Sequence, residues 1–117
     1  MKPRKVLVVD DSPVIHKIYG VLLRRFPLIH ADNGLEAFDC LKEQEIDLIL
    51  LDINMPQMNG LRFLKEMKSG PLQHIPVIVI SGDKTEEMES RCLNAGAAAY
   101  MKKPPDTRKL LALIENL

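Results

Sequence analysis

The sequence predicts an α/β fold, a five-stranded parallel sheet covered by helices on both faces. Three observations carry this: short unbroken apolar runs recur along the chain, segments of helical period separate them, and the connections are short. The runs are VLVV at 6–9, LIHA at 28–31, LILL at 48–51, VIVI at 77–80 and AAAYM at 97–101. Apolar runs of this length without alternation fit strands buried on both faces, the mark of a parallel sheet. LIHA is the weakest of them, and the alanines of AAAYM favour helix by propensity alone.

The intervening segments read as five helices. Ser12 with Pro13 forms a cap and first-turn pair ahead of Val14, Ile18, Val21 and Leu22. Asn33, with Glu36 three residues later, resembles a capping box before Ala37, Phe38 and Leu41. After Pro56 and Gly60, the residues Leu61, Leu64 and Met67 share a face, and Gly70 with Pro71 stops the helix. Asp83 with Glu86 opens a fourth helix that ends near 94–96. Asp106 opens the last, in which Leu110, Leu111, Leu113, Ile114 and Leu117 form a broad apolar stripe. Five alternating βα units imply right-handed crossovers and helices on both faces of the sheet.

The length of 117 residues suits one domain, expected over 1–117, with no repeat or low-complexity segment. Sixteen basic residues offset sixteen acidic ones, which argues against a broad nucleic-acid or membrane footprint, so partners must be recognised locally. No apolar run approaches the length of a membrane span, and MKPRKVLVVDD meets acid too early for a secretory core, so a cytoplasmic location is expected. Cys40 and Cys92 form no CxxC pair and read as reduced packing residues.

In open sheets of this kind, ligands bind beyond the carboxyl ends of the strands. The residues there are Asp10 and Asp11, Asp52, Ser81, and Lys102 with Lys103. A flavodoxin-like strand order of 2-1-3-4-5, in a (βα)5 three-layer sandwich, makes the first and third strands neighbours and gathers three carboxylates, a hydroxyl and an ammonium at one edge. Two like charges about 4 Å apart repel by roughly 4 kcal/mol at an effective dielectric of about 20, and one lysine does not balance three carboxylates. A hard divalent cation does, and an all-oxygen site with few protein ligands suits Mg²⁺. A cation so placed draws in a phosphoryl group, and a carboxylate beside it can be the nucleophile. Each fragment alone has a bland reading: DD after a strand as a helix cap, KP as a turn. Acid at two strand ends, a hydroxyl at the next and lysine at the last, in order, is hard to obtain from capping.

With those residues in view, the chain resembles a receiver domain of bacterial two-component response regulators. The matching segments are VLVVDDSPV, LLDINMPQMNG, VIVISGD and GAAAYMKKPPD. The resemblance implies a phosphorylation-dependent switch, not an enzyme beyond its own phosphorylation and slow dephosphorylation. Asp52 would accept phosphate from a phosphohistidine of a histidine kinase or histidine phosphotransfer protein. Asp11, Asp52 and the backbone carbonyl of Asn54 would bind Mg²⁺, with Asp10 acting through water; Ser81 and Lys103 would hold phosphoryl oxygens. Lys103 is chosen over Lys102 because it precedes Pro104, and their bond is, by resemblance, cis. Ser81 and Tyr100 would carry the switch: the hydroxyl moves toward phosphate and Tyr100 turns inward, reshaping the surface of the fourth helix, fifth strand and fifth helix.

Some positions depart from the commonest pattern of that family. Ser81 replaces a more frequent threonine, Gly82 stands where alanine is usual, and Pro105 where a bulky apolar residue is common. Asn54 and Asp83 occupy positions where the family tunes acyl-phosphate lifetime. His16, His30 and His74 show no metal-ligand spacing and read as surface or packing residues; Met55 is expected to pack its loop and Met88 its helix. Two alternatives remain: a Mg²⁺-dependent phosphatase working through an aspartyl intermediate, which usually shows a DxD nucleophile at its first strand, and a flavodoxin-like binding module, whose flavin phosphate the acidic DDSPV loop would repel. The expected downstream partner is an effector protein or a fused output domain, with no direct nucleic-acid contact and no membrane contact by this domain.

Overall fold

Each apolar run becomes a strand because its flanking residues cap helices and leave it no other partner than the sheet. The computed structural model describes residues 4–54, 59–83 and 85–117; the expected packing of Met55 and the turn at Pro56 lie outside them. The strands are β1 (Val6–Val9), β2 (Leu28–Ala31), β3 (Leu48–Leu51), β4 (Val77–Ser81) and β5 (Ala99–Lys102). The helices between and after them are α1 (Pro13–Leu22), α2 (Gly34–Glu43), α3 (Gly60–Ser69), α4 (Glu86–Asn94) and α5 (Thr107–Asn116). All strand pairs are parallel, in the order β2-β1-β3-β4-β5, as the sequence predicts. AAAYM is shortened: β5 begins at Ala99, and Ser81 joins β4. No helix among the described residues is long and apolar enough to cross a membrane.

The sheet divides its side chains strictly by parity, as a pleated strand must. Leu7, Val9, Ile49, Leu51, Val77 and Val79 point to the face covered by α2, α3 and α4, where Ala37, Leu41, Phe63, Leu64, Met67 and Cys92 complete the core. Val6, Val8, Leu48, Leu50, Ile78 and Ile80 point to the other, covered by α1 and α5 through Tyr19, Leu23, Leu110 and Ile114. Every residue of β1 and β3 is buried, whereas the edge strands β2 and β5 keep half-buried and exposed positions. Cys92 is buried, Cys40 is half-buried, and neither is in a disulfide.

Three helix readings need correction. The stripe Val14, Ile18, Val21 and Leu22 is not the core face of α1: all four are exposed, Val21 by 68%. The helix turns Ile15, Tyr19 and Leu23 inward instead. It is apolar on two sides, so periodicity alone could not choose between them. Asp83 does not cap α4; Thr85 does, its side chain accepting from the Met88 amide, while Asp83 accepts from both the amide and the hydroxyl of Thr85. The box at Asn33 is also shifted. Asn33 accepts from the Glu36 amide, but the Glu36 carboxylate reaches the amide of Asp32, one residue earlier than in a reciprocal box.

Gly60 shows how tightly the third helix abuts the sheet edge. A Cβ there would run into the Asp52 carbonyl oxygen and stand 2.6 Å from the Ile53 Cα, both backbone atoms that cannot rotate away. Gly60→Ala is therefore expected to destabilise the fold by about 1–3 kcal/mol, the usual cost of overpacking. Urea denaturation measures it, and a loss below about 0.5 kcal/mol would show that the junction yields.

Candidate functional site

The site grows from where β1 and β3 stop. Their register pairs Val9 with Leu51, so the next residues, Asp10 and Asp52, leave the sheet side by side. The ladder continues one step further: the Asp10 amide donates to the Ala31 carbonyl and the Asp52 amide to the Val9 carbonyl. Both side chains are buried, Asp10 being 3% and Asp52 7% exposed, while Asp11 faces solvent. One carboxylate oxygen from each of Asp10, Asp11 and Asp52 lies within 4.8 Å of the others.

Local hydrogen bonds aim the two buried carboxylates. Asp10 accepts from the Ser12 amide at 2.9 Å, and Asp52 from the Asn54 amide at 3.2 Å. Lys103 supplies the counter-charge, its Nζ standing 3.2 Å from Asp10 and 3.6 Å from Asp52. It reaches there from beyond β5, where its amide donates to the Ser81 carbonyl and its bond to Pro104 is cis. Lys102 is exposed, in keeping with side-chain alternation.

Electrostatics at Asp52 are unfavourable to its charged form. Burial raises its pKa above the ordinary carboxylate value; Lys103 works against this, Asp10 adds to it, the Asn54 amide lowers it and Asp11 raises it further. Tyr19 lines the same small space as Asp10 and Asp52. Burial first, then the charges of Asp10 and Asp52, push its phenol well above the usual range. The donor set is all oxygen, partly exposed through Asp11, and carries more negative charge than one ammonium offsets. A small hard divalent cation fits it.

Ser81 is fully buried at the end of β4, and its hydroxyl accepts from the Asp83 amide at 3.1 Å. Tyr100 is half-buried against the core, its hydroxyl donating to the Asp83 carbonyl. One peptide segment therefore joins the two residues expected to form the switch. Asn54 is exposed, next to Asp52. The structure also joins residues that sequence spacing separates: His16 of α1 meets His30 of β2, with Nδ1 atoms 2.6 Å apart. Tyr19 and His16 were not legible as site residues, although the Ser12 cap sets the helical phase that turns both toward the strand ends.

The chain is similar to known proteins over nearly its whole length. It is 38% identical over 122 residues to the two-component response regulator ORR1 of Oryza sativa subsp. japonica, covering 93% of this chain and 53% of that protein, so it spans about half the length of that relative. It is 33% identical to the polar-differentiation response regulator DivK of Brucella anthropi, covering 97% of this chain and 95% of the relative. A crystal structure of a response regulator receiver protein from Pseudomonas putida superposes with a TM-score of 0.93 at 29% identity, covering 100% of this chain and 99% of the other. The family described as response regulator receiver domain matches residues 6–115, and this chain belongs to it, among the phosphorylation-dependent switches of two-component signalling.

Proposed function

We propose that residues 1–117 form a receiver domain in which Asp52 accepts a phosphoryl group from the phosphohistidine of a histidine kinase or phosphotransfer protein. The convergence of Asp10, Asp11 and Asp52 with Lys103 carries this reading. A carboxylate oxygen of Asp52 attacks phosphorus, the phosphorus to imidazole-nitrogen bond breaks with its electron pair left on that nitrogen, and the ring, already protonated at its other nitrogen, leaves as neutral histidine, giving a mixed anhydride on Asp52. Asp11, Asp52 and the Asn54 carbonyl would hold Mg²⁺, with Asp10 acting through water. Bound there, the ion supplies the positive charge that lets an anionic nucleophile meet an anionic phosphoryl group.

Lys103 is already beside the nucleophile, so it stabilises charge on the transferring oxygens without reorganisation. Ser81, one strand away, would bind another oxygen. It would donate its own hydrogen to that oxygen, and any move this requires acts on the Asp83 amide from which it accepts, while the Asp83 carbonyl holds Tyr100. Phosphorylation would thus change the α4, β5 and α5 surface through one shared peptide, a shift between two packed arrangements. That surface would act on a downstream effector or an output domain, and the domain would be a switch, with no turnover of substrates.

The exposed stripe of α1, Val14, Ile18 and Val21, lies on the helix that follows Asp10 and Asp11 in the chain and would seat the phosphodonor protein. Phosphatase and flavin-binding readings gain no specific support: Asp10 and Asp11 are adjacent, and no basic side chain other than Lys103 is paired with the acid cluster among the described residues.

Acetyl phosphate labelling is expected to require Mg²⁺ and to vanish in Asp52→Ala; a retained label on that variant, read by mass spectrometry, would sink the proposal. Lys103→Met should slow labelling by about 10²-fold or more. Ile18→Glu should impair transfer from a phosphohistidine protein while leaving acetyl phosphate labelling intact; equal loss of both would remove α1 as the docking face.

The raised pKa of Asp52 gives a pH dependence with a defined sign. A folded-state pKa above the unfolded one contributes stability that is present at low pH and lost as pH rises through the folded value. Metal-free protein should therefore lose stability over that window. Asp52→Asn should not, and near pH 7 it should melt about 4 °C higher for each kcal/mol relieved. Added Mg²⁺ should raise the wild-type midpoint, by about 2.7 kcal/mol at a hundred times its Kd, and increasingly so as pH rises. Thermal melts across pH, with and without the ion, measure both effects.

A further inference from the structure

We propose that His16 and His30 form a second cation site, selective for a borderline transition-metal ion such as Zn²⁺ and separate from the acidic cluster. The two Nδ1 atoms face each other 2.6 Å apart, with the rings edge to face at 82° and centroids 4.7 Å apart. Two lone pairs cannot meet at that distance, so a positive centre must lie between them. In the free protein it is a proton.

The arrangement states which nitrogen holds that proton. His16 Nε2 is 2.7 Å from the Asp10 carbonyl oxygen, which only accepts, so the hydrogen of neutral His16 sits on Nε2 and its Nδ1 presents a lone pair. Asp32, 3.3 Å from the same Nε2, reinforces this orientation. A histidine that donates one ring N–H to a carbonyl or carboxylate while the other nitrogen points at a partner has the second-contact pattern of a metal ligand. His30 then donates Nδ1–H to His16. Partial burial, and after it the neighbouring His16, lower the His30 pKa from its ordinary value and so favour the uncharged form a metal requires.

Exchange of proton for metal needs only that His30 carry its hydrogen on Nε2 instead of Nδ1, with no net proton released. Two nitrogens bound to one tetrahedral Zn²⁺ at about 2.0–2.1 Å stand about 3.3 Å apart, so the pair must open by roughly 0.7 Å. His30 can move: its side chain is exposed, and β2 is an edge strand. Water fills the remaining positions. Imidazole favours Zn²⁺, Cu²⁺ or Ni²⁺, whereas carboxylates favour Mg²⁺, so the two sites select different ions from one mixture.

The test is calorimetric titration of tag-free protein with ZnCl₂ in excess Mg²⁺, which keeps the acidic cluster occupied. One saturable equivalent is expected, weakened about tenfold or more by His30→Asn and unaffected by His74→Asn or Asp11→Asn. His30→Asn changes an exposed residue and should leave the melting temperature near wild type, so a loss of binding would not reflect unfolding. Binding that survives His30→Asn, that disappears with Asp11→Asn, or that fails to saturate by about 1 mM would overturn the proposal. Loss of Mg²⁺-dependent labelling with retained Zn²⁺ binding would leave this site standing and remove only the receiver mechanism.

Discussion

Three carboxylates share a space that a single ammonium cannot neutralise, and the surrounding structure is organised by that constraint. Asp10 and Asp52 are brought together by strand register, as the last ladder bonds of β1 and β3 carry them past the sheet as neighbours. Lys103 is the one cation paired with them among the described residues, and it must come from the far end of the chain to do so. The backbone around it is correspondingly tight. The Lys103 amide is tied to Ser81, and the start of α3 presses against the peptide that carries Asp52. A site strained by like charge is one that a cation or a transferred phosphoryl group can reorganise, because each changes the balance of charge at the strand ends.

The loop after β4 ties several elements near the strand ends together. Asp83 accepts from Thr85 to start α4, donates to Ser81 and accepts from Tyr100, so one residue joins helix cap, strand end and the aromatic of β5. The side-chain and backbone bonds from Thr85 hold its carboxyl below the usual range. Any movement of the Ser81 hydroxyl acts on this joint. The peptide that joins Ser81 and Tyr100 is a property of the folded loop.

Helix α1 connects the site to the outside in a different way. Its inner face places Tyr19 at the small space lined by Asp10 and Asp52, and His16 against the Asp10 backbone. Its outer face leaves a row of aliphatic side chains uncovered. A helix apolar on both faces can serve the core and a partner at once, and it is the element most easily misread from periodicity.

Much of this protein was legible before any coordinates. Four-residue apolar runs, cap residues and stop signals are local chemistry, and local chemistry determined the five strands, the five helices and the parallel sheet, because a run apolar on every residue has no stable place except between two layers. The order of residues at successive strand ends singled out Asp10, Asp11, Asp52 and Lys103, which the structure brings together. Tertiary structure alone decided which stripe of α1 is buried and that His16 and His30 meet. Each of these depends on distances between residues far apart in the chain, or on a choice between two faces of equal hydrophobicity. Neither leaves a mark on the local pattern, since packing settles it only after the sheet has formed.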